Sequence, residues 1–221
     1  KRTNLNAQEI GDDLKRAADW KRLYLPSEHN PVFDEQEVAK MVKYGQQRLR
    51  SMQCEDGGWG WFSGSGEQSW PHTTALVVHG LQVARANGAL DNEESLQRGI
   101  QWLDRYQQEQ VKELKLWETS KGEKGKQYAD ALDACVYMVL ADEKQNNAQM
   151  RDYLYRDRTE LPVYAKAMYG LALHRLNETE KRDMLLRNIE QYLVEDDENQ
   201  TAYLKVGESW WWWYGSEIEA D

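Results

Sequence analysis

The side chains in this 221-residue chain with the potential for chemistry are few and scattered. Asp130 and Asp133 stand three residues apart, a spacing that puts both carboxylates on one helix face, as an acid–base pair would need. The same spacing suits two carboxylates bonded to a helix N-terminus or lying in a solvated mouth. Cys54 and Cys135 are the only cysteines. Two thiols in a chain this long are no disulfide framework, and they read as buried or half-buried. His72, in Trp70-Pro71-His72-Thr73, reads as an imidazole bonded to backbone at a helix start. His79, inside an apolar run, reads as a packed core histidine.

Tryptophan is the more unusual signal. The chain holds ten Trp and twelve Tyr against two Phe. Aromatics with a polar edge suit helix rims and cleft mouths. Trp59, Trp61 and Trp70, together with Trp210 and Trp212, are the candidate binding residues. In an extended Trp210–Trp213 segment, Trp210 and Trp212 share one face. Such a cluster could line a ligand wall. The favoured reading is a docking surface for neighbouring domains, because Trp and Tyr dominate contact hot spots.

These residues need a frame, and the segment from Lys43 to Trp61, KYGQQRLRSMQCEDGGWGW, supplies its joint. Gly57-Gly58 stops the preceding helix, since each glycine costs about 1 kcal/mol relative to alanine. Around this corner, amphipathic and apolar helices alternate. They are expected at 5–23, from Asp34 to Met52, at 73–86, from Asp91 to Gln108, at 128–141, 145–156, 163–176 and 178–194. Residues 109–126 read as a charged, flexible loop. The stretches TAYLKV and WWWWY read as a short hairpin about Gly207-Glu208, and Glu217 starts a ninth helix. The apolar helices at 73–86, 128–141 and 163–176 should be buried. Val77-Val78-His79-Gly80-Leu81 aligns with Ala167-Met168-Tyr169-Gly170-Leu171, 90 residues on. Leu49, Leu103, Leu154 and Leu193 mark the outer helices. Helical pairs of this kind bury a core by stacking. The expectation is an all-α fold: a single domain over 1–221, an α/α toroid of inner and outer helices with an incomplete ring and a short C-terminal hairpin.

Charge and hydropathy narrow the functions. A net charge of −10 argues against nucleic-acid binding and against docking on an anionic membrane. No apolar run reaches 18 residues, so no segment reads as a transmembrane helix. The chain begins with Lys1 rather than Met and reads as a piece of a longer protein, so a missing signal peptide says nothing of compartment.

Gln53-x-x-x-Gly57-x-Trp59 and Arg98-Gly-Ile-Gln-Trp-Leu-x-x-x-Gln107 resemble the two halves of the QW repeat of terpenoid-cyclase and prenyltransferase toroids. A closer resemblance is to the thioester domain of bacterial alpha-2-macroglobulins. Gln53-Cys-Glu-Asp-Gly-Gly-Trp-Gly-Trp-Phe62, Ser69-Trp-Pro-His-Thr-Thr-Ala-Leu76 and the segment from Gly207 to Asp221 carry it. The family's Gly-Cys-x-Glu-Gln thioester motif is absent; in the family it lies upstream of the Gly-Gly-Trp segment. The resemblance implies a complement-like, protease-trapping defence protein of the bacterial periplasm or cell envelope. This chain would be its scaffold, with no catalytic residue or cofactor of its own. Its partners would be the other domains of the parent and, through the parent, target proteases. In complement-type relatives a histidine between the Gly-aromatic loop and the next helix steers acylation; His72 lies in that interval, beside the helix rather than mid-loop.

Two rivals remain. A toroid enzyme acting on a polyprenyl substrate would need a deep apolar pocket with a carboxylate or metal at its floor, and a plain interaction module would need an open groove. Asp133-Ala134-Cys135 is similar to the Asp-x-Cys zinc pair of prenyltransferases, with His174 as a third ligand. Residues two apart on a helix diverge by about 200°, however, and His174 stands near a helix end where that family's histidine opens one. The Asp-x-Asp-Asp of squalene cyclases is absent. No metal and no enzymatic activity are expected.

Overall fold

The computed structural model describes residues 35–62, 66–91 and 93–205. Seven helices and one hairpin lie in them: α1 (Glu35–Met52), α2 (Pro71–Ala86), α3 (Glu93–Thr119), α4 (Ala131–Asp142), α5 (Ala148–Arg156), α6 (Val163–Arg175), α7 (Thr179–Glu190), β1 (Leu193–Asp196) and β2 (Thr201–Leu204). The expected helices at 5–23 and from Glu217 lie outside the described residues, as does the Trp210–Trp213 segment. Among the described residues no helix is long and apolar enough to cross a membrane. The chain divides into two compact units, Lys1–Arg48 and Leu49–Asp221, with the boundary inside α1. In the first unit α1 buries none of its side chains, and Glu37 pairs with Lys40 one turn on.

The second unit is a two-layer helical array. α2, α4 and α6 form one row, with α4 in the middle. α3 packs on α2 and α4, α5 packs on α4 and α3, and α7 packs on α6. The row runs parallel. Gln82, near the end of α2, bonds to Val139 O and Glu143 near the end of α4, and Arg175 at the end of α6 pairs with Asp142. Midway, the Tyr137 and Tyr169 rings meet edge to face at 5.8 Å. The three helices stop by the same device. A left-handed residue follows each (Gly88, Lys144, Asn177), and the next backbone N–H reaches back to a carbonyl inside the helix: Ala89 to Ala84, Gln145 to Leu140, Glu178 to Leu173.

Burial within the row differs from the sequence expectation. α4 is buried on all sides from Asp133 to Ala141. Its neighbours each bury one face only: Thr74, Ala75, Val78, Leu81 and Gln82 of α2, and Ala165, Lys166, Tyr169, Ala172 and Leu173 of α6, with Val163. The two sets are superimposable at a step of 91 residues, so the sequence alignment at 90 is one residue out. Consequently Leu81 is buried while Leu171, its sequence match, is 50% exposed, and Leu76 is 54% exposed. Both helices border a middle helix on one side and an outer helix on another, which leaves one apolar flank outward.

Two element boundaries are also corrected. α3 does not end near Gln108; it continues to Thr119 through the stretch expected to be a flexible loop. Its buried line, Leu96, Ile100, Leu103, Gln107, Val111 and Leu114, keeps helical spacing to the end. Exposed ends are tied down as well: Glu118 accepts from Tyr153 Oη and Arg156, and Lys115 donates to Gln149, all on α5. The described hairpin precedes the expected one, whose turn about Gly207-Glu208 lies outside the described residues. Thr201–Leu204 is the second strand of the described hairpin, paired antiparallel to Leu193–Asp196, and Leu193 is in a strand rather than an outer helix.

Leu114→Ala should lower the unfolding free energy by about 2–5 kcal/mol in urea titration, as for a buried leucine. Lys112→Ala, on the exposed side of the same turn, should stay within about 0.5 kcal/mol. Equal, small effects would return this stretch to a loop.

Candidate functional site

The Gly-Gly-Trp corner is built from the core outward. Trp59 is 2% exposed. Its indole N–H donates to Leu49 O (2.8 Å), and its ring lies where a side chain at position 99 would be: a Cβ there would sit 2.7 Å from Trp59 Cζ3 and 2.6 Å from Val78 Cγ2. Only glycine in mid-helix allows α3 to approach that closely. Thr74 Oγ1 accepts from the Trp59 backbone N–H (2.9 Å), and the Trp70 N–H donates to Trp59 O (2.8 Å), so the corner is stitched to the start of α2. Gly57 has φ +100°, a left-handed conformation that favours glycine.

α3 clamps the other side. Gln53 Nε2 donates to Gly57 O and Ser95 O. Arg98 donates to Cys54 O and Glu55 O, and Arg105 to Asp56 O. The Asp56 carboxylate accepts from Ser69 Oγ, the Gly58 N–H and, at 2.8 Å, Trp102 Nε1. Partial burial alone would raise its pKa. The bonds from Ser69, Trp102 and Gly58 and the Arg105 charge outweigh that and hold Asp56 below the usual carboxylate value. The two sequence segments that resemble halves of one repeat therefore lie against each other. Asp56, Thr74 and Gly99 stand inside the motifs quoted from sequence but were given no role there. A glycine inside an otherwise strong helix was the available signal of close packing.

The aromatic candidates do not form one wall. Trp59 is inside the core. Trp61 and Trp70 are on the surface, 59% and 51% exposed, in edge contact at 6.4 Å, with exposed Phe62 adjoining in sequence. His72 is exposed in the first turn of α2. Trp210 and Trp212 lie outside the described residues.

The groups with chemical potential are held by structural partners. Asp130 caps α4, accepting from the N–H groups of Leu132 and Asp133, and Asp133 accepts in return from the Asp130 N–H: a capping box. Lys126 Nζ joins both carboxylates, 2.7 Å from each, and also donates to Gln110. Burial pushes Asp133 up to about 6, with the Asp130 charge adding and the Lys126 ammonium opposing. Cys135 is buried and its thiol is pushed up to about 11 by that burial. His174 is far along α6, with Arg182 3.2 Å from its Nδ1. Among the described residues no group of three His, Cys, Asp or Glu side chains converges on a metal position. His79 is half-buried rather than in the core: its side chain is 38% exposed.

No protein-family model and no curated protein matches the sequence. Among solved structures, the chain is similar to native alpha-2-macroglobulin from Escherichia coli, in a crystal structure spanning domain MG7 to the C-terminus. The TM-score is 0.56 at 20% identity, over 76% of this chain and 26% of that one. The fold is that of a segment of bacterial alpha-2-macroglobulin. This chain spans about a quarter of the solved one.

An acid whose folded pKa lies above its unfolded value contributes stability that is full below the unfolded pKa and lost as pH rises through the folded one. Asp133 moves from 3.8 to about 6. The stability of the native chain relative to Asp133→Asn should therefore fall as pH rises from about 4 to 6, read from urea midpoints. A difference that is flat or rises over that window would show that burial does not outweigh the Lys126 ammonium in setting the Asp133 pKa.

Proposed function

We propose that this chain is scaffold from the thioester domain of a bacterial alpha-2-macroglobulin-like protein that traps proteases in the periplasm or at the cell envelope. The chain is one α/α-toroid domain, or most of one, and carries no catalytic residue of its own. The single observation that carries this reading is the likeness of fold to the E. coli alpha-2-macroglobulin region over three-quarters of the chain. The corner fits the role, since Gln53, Asp56 and Trp59 are committed to hydrogen bonds within it. Trp61 and Trp70, with His72 beside them, form an exposed aromatic edge suited to docking on another domain of the same parent.

In the parent, cleavage of a bait segment would expose a thioester lying upstream of this chain, and the thioester would acylate the attacking protease. The test uses the full-length parent incubated with trypsin. Trapped trypsin should keep its activity on a small chromogenic peptide and lose it on a large protein substrate. It should also migrate as a covalent conjugate on a denaturing gel unless the parent is first treated with methylamine. Equal activity on both substrates, with no conjugate, would contradict the reading.

A further inference from the structure

Two tripeptides in the chain have the Asn-x-Thr form that accepts an N-linked glycan, Asn177-Glu178-Thr179 and Asn199-Gln200-Thr201. Such a tripeptide arises often by chance, so the surroundings of each decide. Asn177 is the left-handed residue at the stop of α6. Its N–H is bonded to His174 O, the Glu178 N–H to Leu173 O, and the Glu178 carboxylate pairs with Arg151 at 2.6 Å. Thr179 is already the first residue of α7. Presenting this tripeptide to an enzyme would unravel a helix stop.

The second tripeptide is at the tip of the hairpin. Residues 197–201 are all exposed, and β1 and β2 meet below them at the Asp196–Thr201 pair. The Asp196 carboxylate shapes the tip. It accepts from the N–H groups of Glu198 and Asn199, both at 3.1 Å, and from the Asn199 carboxamide at 2.6 Å. These bonds join exposed groups, so water replaces them at little net cost. Gln200 is left-handed (φ +53°), a conformation that a non-glycine residue leaves readily. The tip can therefore be reshaped to fit a transferase while the strands below it stay paired. Asp197, two residues before Asn199, adds a negative charge that a basic group on the transferase can hold; the same place before Asn177 is Arg175.

We propose that Asn199 is an N-glycosylation site, which takes an oligosaccharide from a lipid pyrophosphate carrier. The carboxamide nitrogen of Asn199 attacks the anomeric carbon of the first sugar. The N–C bond forms and the C–O bond to the pyrophosphate breaks. The lipid pyrophosphate leaves, and the amide proton passes to a base of the transferase. The Thr201 hydroxyl is the second group that the enzyme reads. Transfer rests on the exported location proposed above. A glycan is bulky and solubilising, so it keeps the hairpin tip turned to water in the parent rather than to a neighbouring domain.

The test exports the whole chain, behind a cleavable signal peptide, into the periplasm of bacteria that carry an oligosaccharyltransferase and its lipid-linked oligosaccharide, and reads the intact mass. Export is imposed, so the result is independent of the trypsin-trapping test. The native chain should gain the mass of one oligosaccharide. The gain should be lost in Asn199→Gln and in Thr201→Ala, and kept in Thr201→Ser and Asn177→Gln. A native chain without added mass, in cells that glycosylate a co-exported control acceptor, would overturn the proposal. So would a gain of two oligosaccharides, a gain that survives Asn199→Gln, or one that disappears in Asn177→Gln.

Discussion

One contact holds the array in register: the Trp59 ring against the bare backbone of Gly99. A helix glycine costs about 1 kcal/mol against alanine, and here the loss is offset by an indole fully removed from water and packed on Val78. The indole fixes the distance between α2 and α3. Its N–H, donated to Leu49 O, fixes where the end of α1 stands above them. The loop that carries it is in turn bonded to α3 through Gln53, Arg98, Trp102 and Arg105. A corner that is anchored to three elements leaves little freedom for a moving loop.

The layer plan was legible in the sequence because it rests on periodicity. Alternating wet and greasy segments named the row of α2, α4 and α6, and Gly57-Gly58 marked the stop of the helix before it. Detail was lost where another signal masked the period. Val111 and Leu114 sit among Glu, Gln and Lys, so a buried stripe was hidden under the charge of the other face. The match between Gly80 and Gly170 set the repeat at 90 residues, whereas neither glycine has side-chain neighbours and burial repeats at 91. Apolarity was read as burial in all three helices, whereas α4 is buried all round and α2 and α6 each keep an outward flank. That distinction depends on how many neighbours a helix has, which is not a local property.

The candidate site was legible in outline only. Gln53, Gly57 and Trp59 were picked out by spacing, and they do meet. Their partner Asp56 was hidden in an acidic pair, and Thr74 carries no local mark. The carboxylates Asp130 and Asp133 are bonded at the start of α4, one of the readings their spacing allowed; their counter-ion Lys126, seven residues before Asp133 and in a segment expected to be a loop, was not foreseen. Some charges of the row follow the helix dipoles, with capping acids at the start of α4 and arginines at the ends of α2 and α6, while Asp142 and Glu143 at the end of α4 oppose its dipole. Lys166 opposes the dipole of its helix too. It is buried in the first turn of α6, donates to Leu161 O, and is lowered in pKa by its burial.

Amide hydrogen exchange under native conditions tests the central claim most directly. The N–H groups of Cys54, Trp59 and Trp70 are bonded to Gly58 O, Thr74 Oγ1 and Trp59 O. If the corner is part of the core, these three should exchange only by global unfolding, with the same free energy and the same dependence on added urea as core amides such as that of Tyr137. Exchange of the three at much lower free energy and without urea dependence, while Tyr137 stays protected, would make the corner an ordinary surface loop and contradict the account.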